Sequence, residues 1–252
     1  EDRGRVRVLT LNRPEVLNAL NPAIVEALEE RIEDVRNDSN VLALILTGSG
    51  RAFAAGADIG EMRKMTPLQG VEFSRRGHEV LGAMEDLDIP TIAAVNGYAL
   101  GGGCEVAMGC DWIYASAKAR FGQPEVNLGL VPGFGGHTRL VRRVGVAWAK
   151  EIVTTGEPID ADTAVRIGLA NRVFENSETL LAEAIAMGEK IATKGPVAVK
   201  FGKRLIQTSQ DVDLQVATAY EQATFGTIFA TEDRLEGKDA FLAKRDPNFK
   251  GR

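Results

Sequence analysis

The sequence predicts an α/β fold closed by a layer of helices, and three observations carry that prediction. Two apolar runs, residues 41–46 and 91–95, are each bounded by turn-forming residues, the pattern of strands covered on both faces. Helical periodicity lies between them, which implies right-handed crossovers and a mainly parallel sheet. From about residue 161 onward the strand pattern gives way to successive helical stretches.

Taken in chain order, residues 5–12 alternate and end in Asn12-Arg13-Pro14, a strand closed by a turn. Asn21 before Pro22 forms an N-cap with proline at the first helical position. Ile24, Leu28 and Ile32 then recur every four residues beside Val25 and Val35, giving an amphipathic helix of about four turns. The run 41–46 stops at Thr47-Gly48-Ser49-Gly50, and a helical stretch ending near Asp88 leads into the run 91–95. Helices are expected over 161–167, 180–192, 196–208 and 214–229, with one strand among them at 170–174.

A chain of 252 residues can bury about 72% of its unfolded surface, enough for a self-supporting core. With 44% hydrophobic and 26% charged residues, disorder is excluded. The net charge of -5, from 30 basic against 35 acidic side chains, makes nucleic acid an improbable main partner, since binding a phosphate backbone needs a basic surface. No apolar run approaches the roughly 20 residues needed to span a bilayer, so no membrane association is expected. Residues 1–5 carry neither an apolar signal core nor transit-peptide character. A bacterial cytoplasm is the expected location, or a mitochondrial matrix if a leader has been removed.

Cys104 and Cys110 make no CxxC pattern and read as small apolar fillers in a reducing compartment. Two histidines, His78 and His137, cannot build a three-histidine zinc site, and HExxH is absent, so no metal is expected. Nucleophilic catalysis has few candidates: there is no GxSxG elbow, and His137 falls at a helix start after Gly133-Phe134-Gly135-Gly136. Lys238, Lys244, Arg245, Lys250 and Arg252 read as a solvated helix face and tail, or as a phosphate contact.

Two glycine-rich segments follow strands and lead into helices. One is Arg51-Ala52-Phe53-Ala54-Ala55-Gly56-Ala57-Asp58-Ile59, the other Asn96-Gly97-Tyr98-Ala99-Leu100-Gly101-Gly102-Gly103-Cys104-Glu105. Neither fits a nucleotide loop. Singly, each is a tight turn or a source of unpaired amides; together, amides from two neighbouring strand ends can converge on one oxygen as an oxyanion hole. Glu105 sits among apolar residues, where an isolated carboxylate is costly unless paired, hydrogen-bonded or protonated. Glu125 occupies a similar setting. For either alone a salt bridge, with Arg139, Arg142 or Arg143 as partner, is as good a reading as catalysis. As a pair, two carboxyls can divide acid and base work.

These residues resemble those of the enoyl-CoA hydratase/isomerase, or crotonase, superfamily over essentially the whole chain. The resemblance rests on Asn12-Arg13-Pro14 with Leu17-Asn18-Ala19-Leu20, Phe53 through Ile59, Ala93 through Gly103, Phe121-Gly122-Gln123-Pro124-Glu125, and Pro132-Gly133-Phe134-Gly135-Gly136. It implies a crotonase (ClpP-like) spiral of ββα units over residues 1–195. A C-terminal helical trimerisation region over 196–252 would follow, the two forming one structural unit that assembles as a homohexamer, a dimer of trimers.

The implied activity is a hydro-lyase reaction: water adds across a 2-trans-enoyl-CoA to give the 3-hydroxyacyl-CoA, in fatty-acid β-oxidation or related acyl-CoA degradation. It needs no cofactor, CoA being part of the substrate. The alternatives are double-bond isomerisation and a CoA- or RNA-binding scaffold without turnover. Glu105 and Glu125 would be catalytic, and the amides of Ala57 and Gly102 would form the oxyanion hole. Val16, Ala55, Gly56, Ala57, Asp58, Ile59, Gly60 and Gly102 would line the substrate groove, with Phe241 and Lys244 reaching in from a neighbouring subunit. Two departures stand out: Gly60 where many hydratases carry lysine, a contact Arg63 or Lys64 would have to replace, and His137 where threonine is common.

Overall fold

The computed structural model describes all 252 residues. In chain order the elements are β1 (Asp2–Arg3), β2 (Val6–Leu11), α1 (Pro22–Asn37), β3 (Ala43–Gly48), β4 (Ala52–Ala54), α2 (Ile59–Met62), α3 (Pro67–Glu85), β5 (Thr91–Val95), β6 (Tyr98–Leu100), α4 (Gly102–Met108), β7 (Trp112–Ser116), β8 (Arg120–Gly122), α5 (Gly136–Thr155), β9 (Ile159–Asp160), α6 (Ala161–Arg166), β10 (Arg172–Phe174), α7 (Ser177–Ala192), α8 (Pro196–Ser209), α9 (Leu214–Ile228) and α10 (Glu232–Ala243). Short 3-10 turns cover Pro14–Val16 and Pro124–Leu128.

The strands form two sheets. A six-stranded sheet runs β1-β2-β3-β5-β7-β10, parallel except at β1, and a four-stranded sheet runs β4-β6-β8-β9, parallel except at β9. Three times in succession the chain lays a strand in the large sheet, turns sharply into a short strand of the small sheet, and then enters helix: β3-β4-α2/α3, β5-β6-α4 and β7-β8-α5. This repetition is the spiral of ββα turns that the resemblance implied.

The apolar runs behave as sheet strands covered twice. In β3, Leu44 and Leu46 join the larger core with Val25, Leu28 and Ile32 of α1 and Leu81 and Met84 of α3. Ala43 and Ile45 face the other way, into a second core with Val6, Val8, Ile92 and Leu180 and Ala184 of α7. Alternation therefore persists inside a wholly apolar strand. Each fully buried Leu or Ile in this sandwich contributes about 1.5–3 kcal/mol.

Most sequence-read elements fall where they were placed. Asn21 Oδ1 accepts from the Ile24 amide at 2.9 Å and caps α1 as expected. The strand read at 41–46 starts at Ala43, because Val41 N instead closes a turn onto Asp38 O. Helix α7 starts earlier than residue 180, at Ser177, where Asn176 caps it through the Thr179 amide. The strands β4, β6 and β8 are three residues each, too short for any period to show. No helix is long and apolar enough to cross a membrane.

The last three helices are tied on by polar contacts. Lys203 of α8 donates to Ile89 O at 3.0 Å and pairs with Asp111 at 3.0 Å, and Gln207 donates to Glu85 O at 2.7 Å. At the end of the chain, Asp233 accepts from the amides of Lys250 and Gly251 at 2.7 and 2.8 Å.

Candidate active site

The two glycine-rich segments meet through main-chain pairing. Leu20 forms an isolated parallel bridge with Ala57: Leu20 N donates to Gly56 O and Asp58 N to Leu20 O, both at 2.8 Å. In such a ladder the amide of the intervening residue points to the opposite side. Ala57 N–H therefore faces away from Leu20, and no acceptor in the chain takes it. Gly102 opens α4, so its N–H has no intrahelical partner, and it too is unpaired. A β-carbon on Gly102 would stand 3.7 Å from the Ala57 nitrogen, which puts the two free donors around one small space.

That approach depends on glycine at two neighbouring positions. Gly101 turns the chain with φ 49° and ψ −125°, a left-handed region that a side chain resists. A β-carbon on Gly103 would collide with the Ala54 carbonyl oxygen, so only glycine lets the start of α4 press against β4.

Glu105 lies one turn into α4 and is 1% exposed. Its Oε1 accepts from the amides of Phe134 and Gly136, at 2.7 and 2.6 Å. Burial pushes the carboxyl up to about 7; the two amide bonds pull against that rise, the Glu125 charge adds to it, and Arg139 opposes it. Glu125 is carried by the 3-10 turn Pro124–Leu128 and is half-buried, and burial raises its pKa as well. Its Oε1 reaches to 2.6 Å from where a β-carbon of Gly101 would be. The buried Gln123 amide, turned so that its nitrogen faces the carboxylate, lies 3.2 and 3.3 Å from the two Glu125 oxygens.

The expected arginine partners of Glu105 are a correction. Arg139 grips Glu85 at 2.6 and 2.7 Å, Arg142 pairs with Asp211 at 3.0 Å, and Arg143 donates to the carbonyls of Met108 and Cys110 at 2.7 and 2.6 Å. Glu105 is satisfied by main-chain amides instead. Burial pushes both cysteine thiols up to about 12, which removes them as nucleophiles at neutral pH.

The groove candidates form a ridge running from core to surface. Ala55 and Ala57 are partly exposed, Gly56 is buried, and Ile59 and Gly60 are exposed. Asp58 caps α2 through the Glu61 amide and lies 3.5 Å from Arg13, while Val16 is exposed on the preceding 3-10 turn. Beyond Gly60, Lys64 is held by Glu61 at 2.8 Å, and Arg63 has no ion-pair partner. His137 is exposed at the start of α5 and makes no side-chain hydrogen bond. Phe241 and Lys244 stand at the end of α10, and within one subunit neither side chain is hydrogen-bonded to the site. A cleft of about 1020 Å³ between α5, α8 and α9 contains none of these residues.

Sequence reasoning missed Gln123 beside Glu125 and the amides of Phe134 and Gly136 on Glu105. All three lie inside motifs singled out above, but the two main-chain donors leave no residue-type signature.

Fold and site together define a class: an α/β spiral in which unpaired amides from two turns adjoin two burial-perturbed glutamates. Residues 1–252 match the family model for enoyl-CoA hydratase/isomerase, and the chain belongs to that family. It is 49% identical over 246 residues to a short-chain-enoyl-CoA hydratase of Clostridium acetobutylicum, covering 97% of this chain and 94% of that one. It is 44% identical over 250 residues to a crotonyl-CoA hydratase of Syntrophomonas wolfei, covering 99% and 96%. Among solved structures, an enoyl-CoA hydratase from Bacillus anthracis superposes with a TM-score of 0.96 at 38% identity, covering all of this chain and 98% of that one.

Proposed function

We propose that the protein is an enoyl-CoA hydratase acting on short 2-trans-enoyl-CoA thioesters, without metal or redox cofactor. The observation that supports the reading is that the Glu125 charge acts on buried Glu105, both with raised pKa values, while the Glu125 carboxylate stands at Gly101, next to the free amide of Gly102 and near that of Ala57. Names of relatives support the substrate class, and 44–49% identity supports a short chain.

In this mechanism the thioester oxygen sits between the Ala57 and Gly102 amides. A water held by the two glutamates attacks C3; one carboxylate takes its proton while the C2–C3 π electrons move toward the thioester oxygen. Glu125 then delivers a proton to C2, and the carbonyl re-forms. Each amide aimed at the developing oxyanion lowers the barrier by about 3 kcal/mol. The two carboxyls titrate as a pair, so which of them holds a proton at rest is a property of both. Having two of them favours hydration over double-bond isomerisation, which captures no water. The Ala55–Gly60 ridge and Val16 would hold CoA.

The same proposal includes a homohexamer built as a dimer of trimers, with Phe241 and Lys244 completing a neighbour's CoA site. The exposed apolar side chains of α9 and α10 support it. Two buried, unbridged thiols support a reducing location such as a bacterial cytoplasm.

The test is Glu125→Gln in folded protein, with crotonyl-CoA as substrate. Hydration should fall on the order of 100- to 10,000-fold. An unchanged rate overturns the mechanism. Uptake of labelled oxygen from water into the product separates hydration from isomerisation.

A further inference from the structure

We propose that Arg139, held by Glu85, is a positioning residue that fixes Glu105 through the Phe134–Gly136 turn. The inference rests on the reading of Glu105 given above and deepens it.

The turn that supplies both Glu105 donors is tied at several polar points. The Phe134 peptide gives its N–H to Glu105 and receives Arg139 Nη1 on its carbonyl at 2.9 Å. Arg139 in turn is locked by a two-point fork on Glu85, at 2.6 and 2.7 Å, at the end of α3. The same helix holds the turn elsewhere: Ser74 Oγ donates to Gly133 O at 2.5 Å, and the Phe134 ring packs 5.0 Å from that of Phe73 and against Gly77. Gly135 has φ 100°, and a β-carbon there would collide with the Arg139 guanidinium. The guanidinium therefore occupies space that the turn leaves open only because residue 135 is glycine.

Removing the fork frees the Phe134 carbonyl and lets both amides drift from Glu105. A carboxylate that loses donors and a nearby cation binds its proton more tightly. The other groups bearing on Glu105 are Glu125 on the 3-10 turn and the Cys104 thiol on α4, with the His78 ring of α3 against Gly135. None of them is altered by the substitutions below.

The experiment compares Arg139→Ala, Arg139→Lys and Glu85→Gln with the unaltered protein and with Arg142→Ala, a control on the solvent side of α5. Steady-state kinetics with crotonyl-CoA are paired with an infrared carboxyl titration of the free protein, the Glu105 band being assigned by its loss in Glu105→Gln. In Arg139→Ala, kcat should fall on the order of 10- to 100-fold with KM within about twofold, as misplacement by an ångström does. The Glu105 midpoint should move to higher pH, Glu85→Gln should shift it in the same direction, and Arg139→Lys should recover part of both effects. An unmoved midpoint in folded Arg139→Ala or Glu85→Gln overturns the proposal. So does a loss of kcat no larger than the loss of folded protein. If Arg139→Ala does not fold, the other two variants decide by the same criteria. The titration needs no turnover: a shifted midpoint in a protein that hydrates nothing keeps the positioning role and removes the substrate reading.

Discussion

The spiral and the three helices after it are held together by different means. Every one of the largest fully buried side chains, among them Phe53, Phe121, Leu44, Ile92 and Met108, lies before residue 122. In residues 196–252 only Ala217, Thr224, Asp233 and Ala240 are buried, while Leu214, Phe225, Phe241 and Leu242 are largely exposed. The spiral closes its own core with those fully buried side chains. The helical layer hangs on a few polar ties and leaves several large apolar side chains exposed, Leu214, Phe225, Phe241 and Leu242 among them. The candidate catalytic groups, Glu105 and Glu125, thus sit in the region that closes its own core.

The sharpest way to break that contrast is Gly103→Ala. Its added methyl has to displace the β4 backbone from α4, so it should destabilise the subunit by about 3 kcal/mol or more. Denaturant unfolding measures it, and a loss below about 1 kcal/mol would mean the spiral yields far more easily than its packing implies.

Next comes the price of Glu105. Its folded pKa is about 7 against an ordinary 4.5, so the folded state binds this proton more tightly than the unfolded chain. The associated stability is whole below pH 4.5 and is lost as pH rises through 7, a change of about 3 kcal/mol. Glu105→Gln should therefore be more stable than the unaltered protein at pH 8, by about 2–3 kcal/mol, and nearly equal to it at pH 4. Equal unfolding midpoints at both pH values would show that the carboxyl is not strained in the fold.

The smallest effect on the subunit itself is expected from Phe241→Ser with Leu242→Ser, two side chains that touch little within it. Its unfolding free energy at dilution should move by less than about 0.5 kcal/mol per site. Sedimentation should nonetheless show a smaller particle. A change in unfolding with no change in mass would place these residues in the subunit's own core and erase the contrast between the two regions.

What could be read from sequence follows the same division. Residues 91–95 and the Asn21 cap were legible because a covered strand and a capped helix each leave a pattern in residue type. The second strand of each spiral turn was not, since three residues such as Tyr98–Leu100 cannot display a period. Glu105 and Glu125 were visible as carboxyls in apolar company. What satisfies Glu105 was not, because the donors at 134 and 136 are peptide groups that any residue but proline could supply.

The unpaired N–H of Ala57 owes its direction to the bridge that its neighbours make with Leu20. No exchange of side chains at position 57, short of proline, deletes that group, so scanning mutagenesis would pass over it as a site of no importance. An amide-to-ester replacement at that bond would reveal it. Sequence drift is correspondingly free to remodel the surrounding walls while that donor stays fixed in the scaffold.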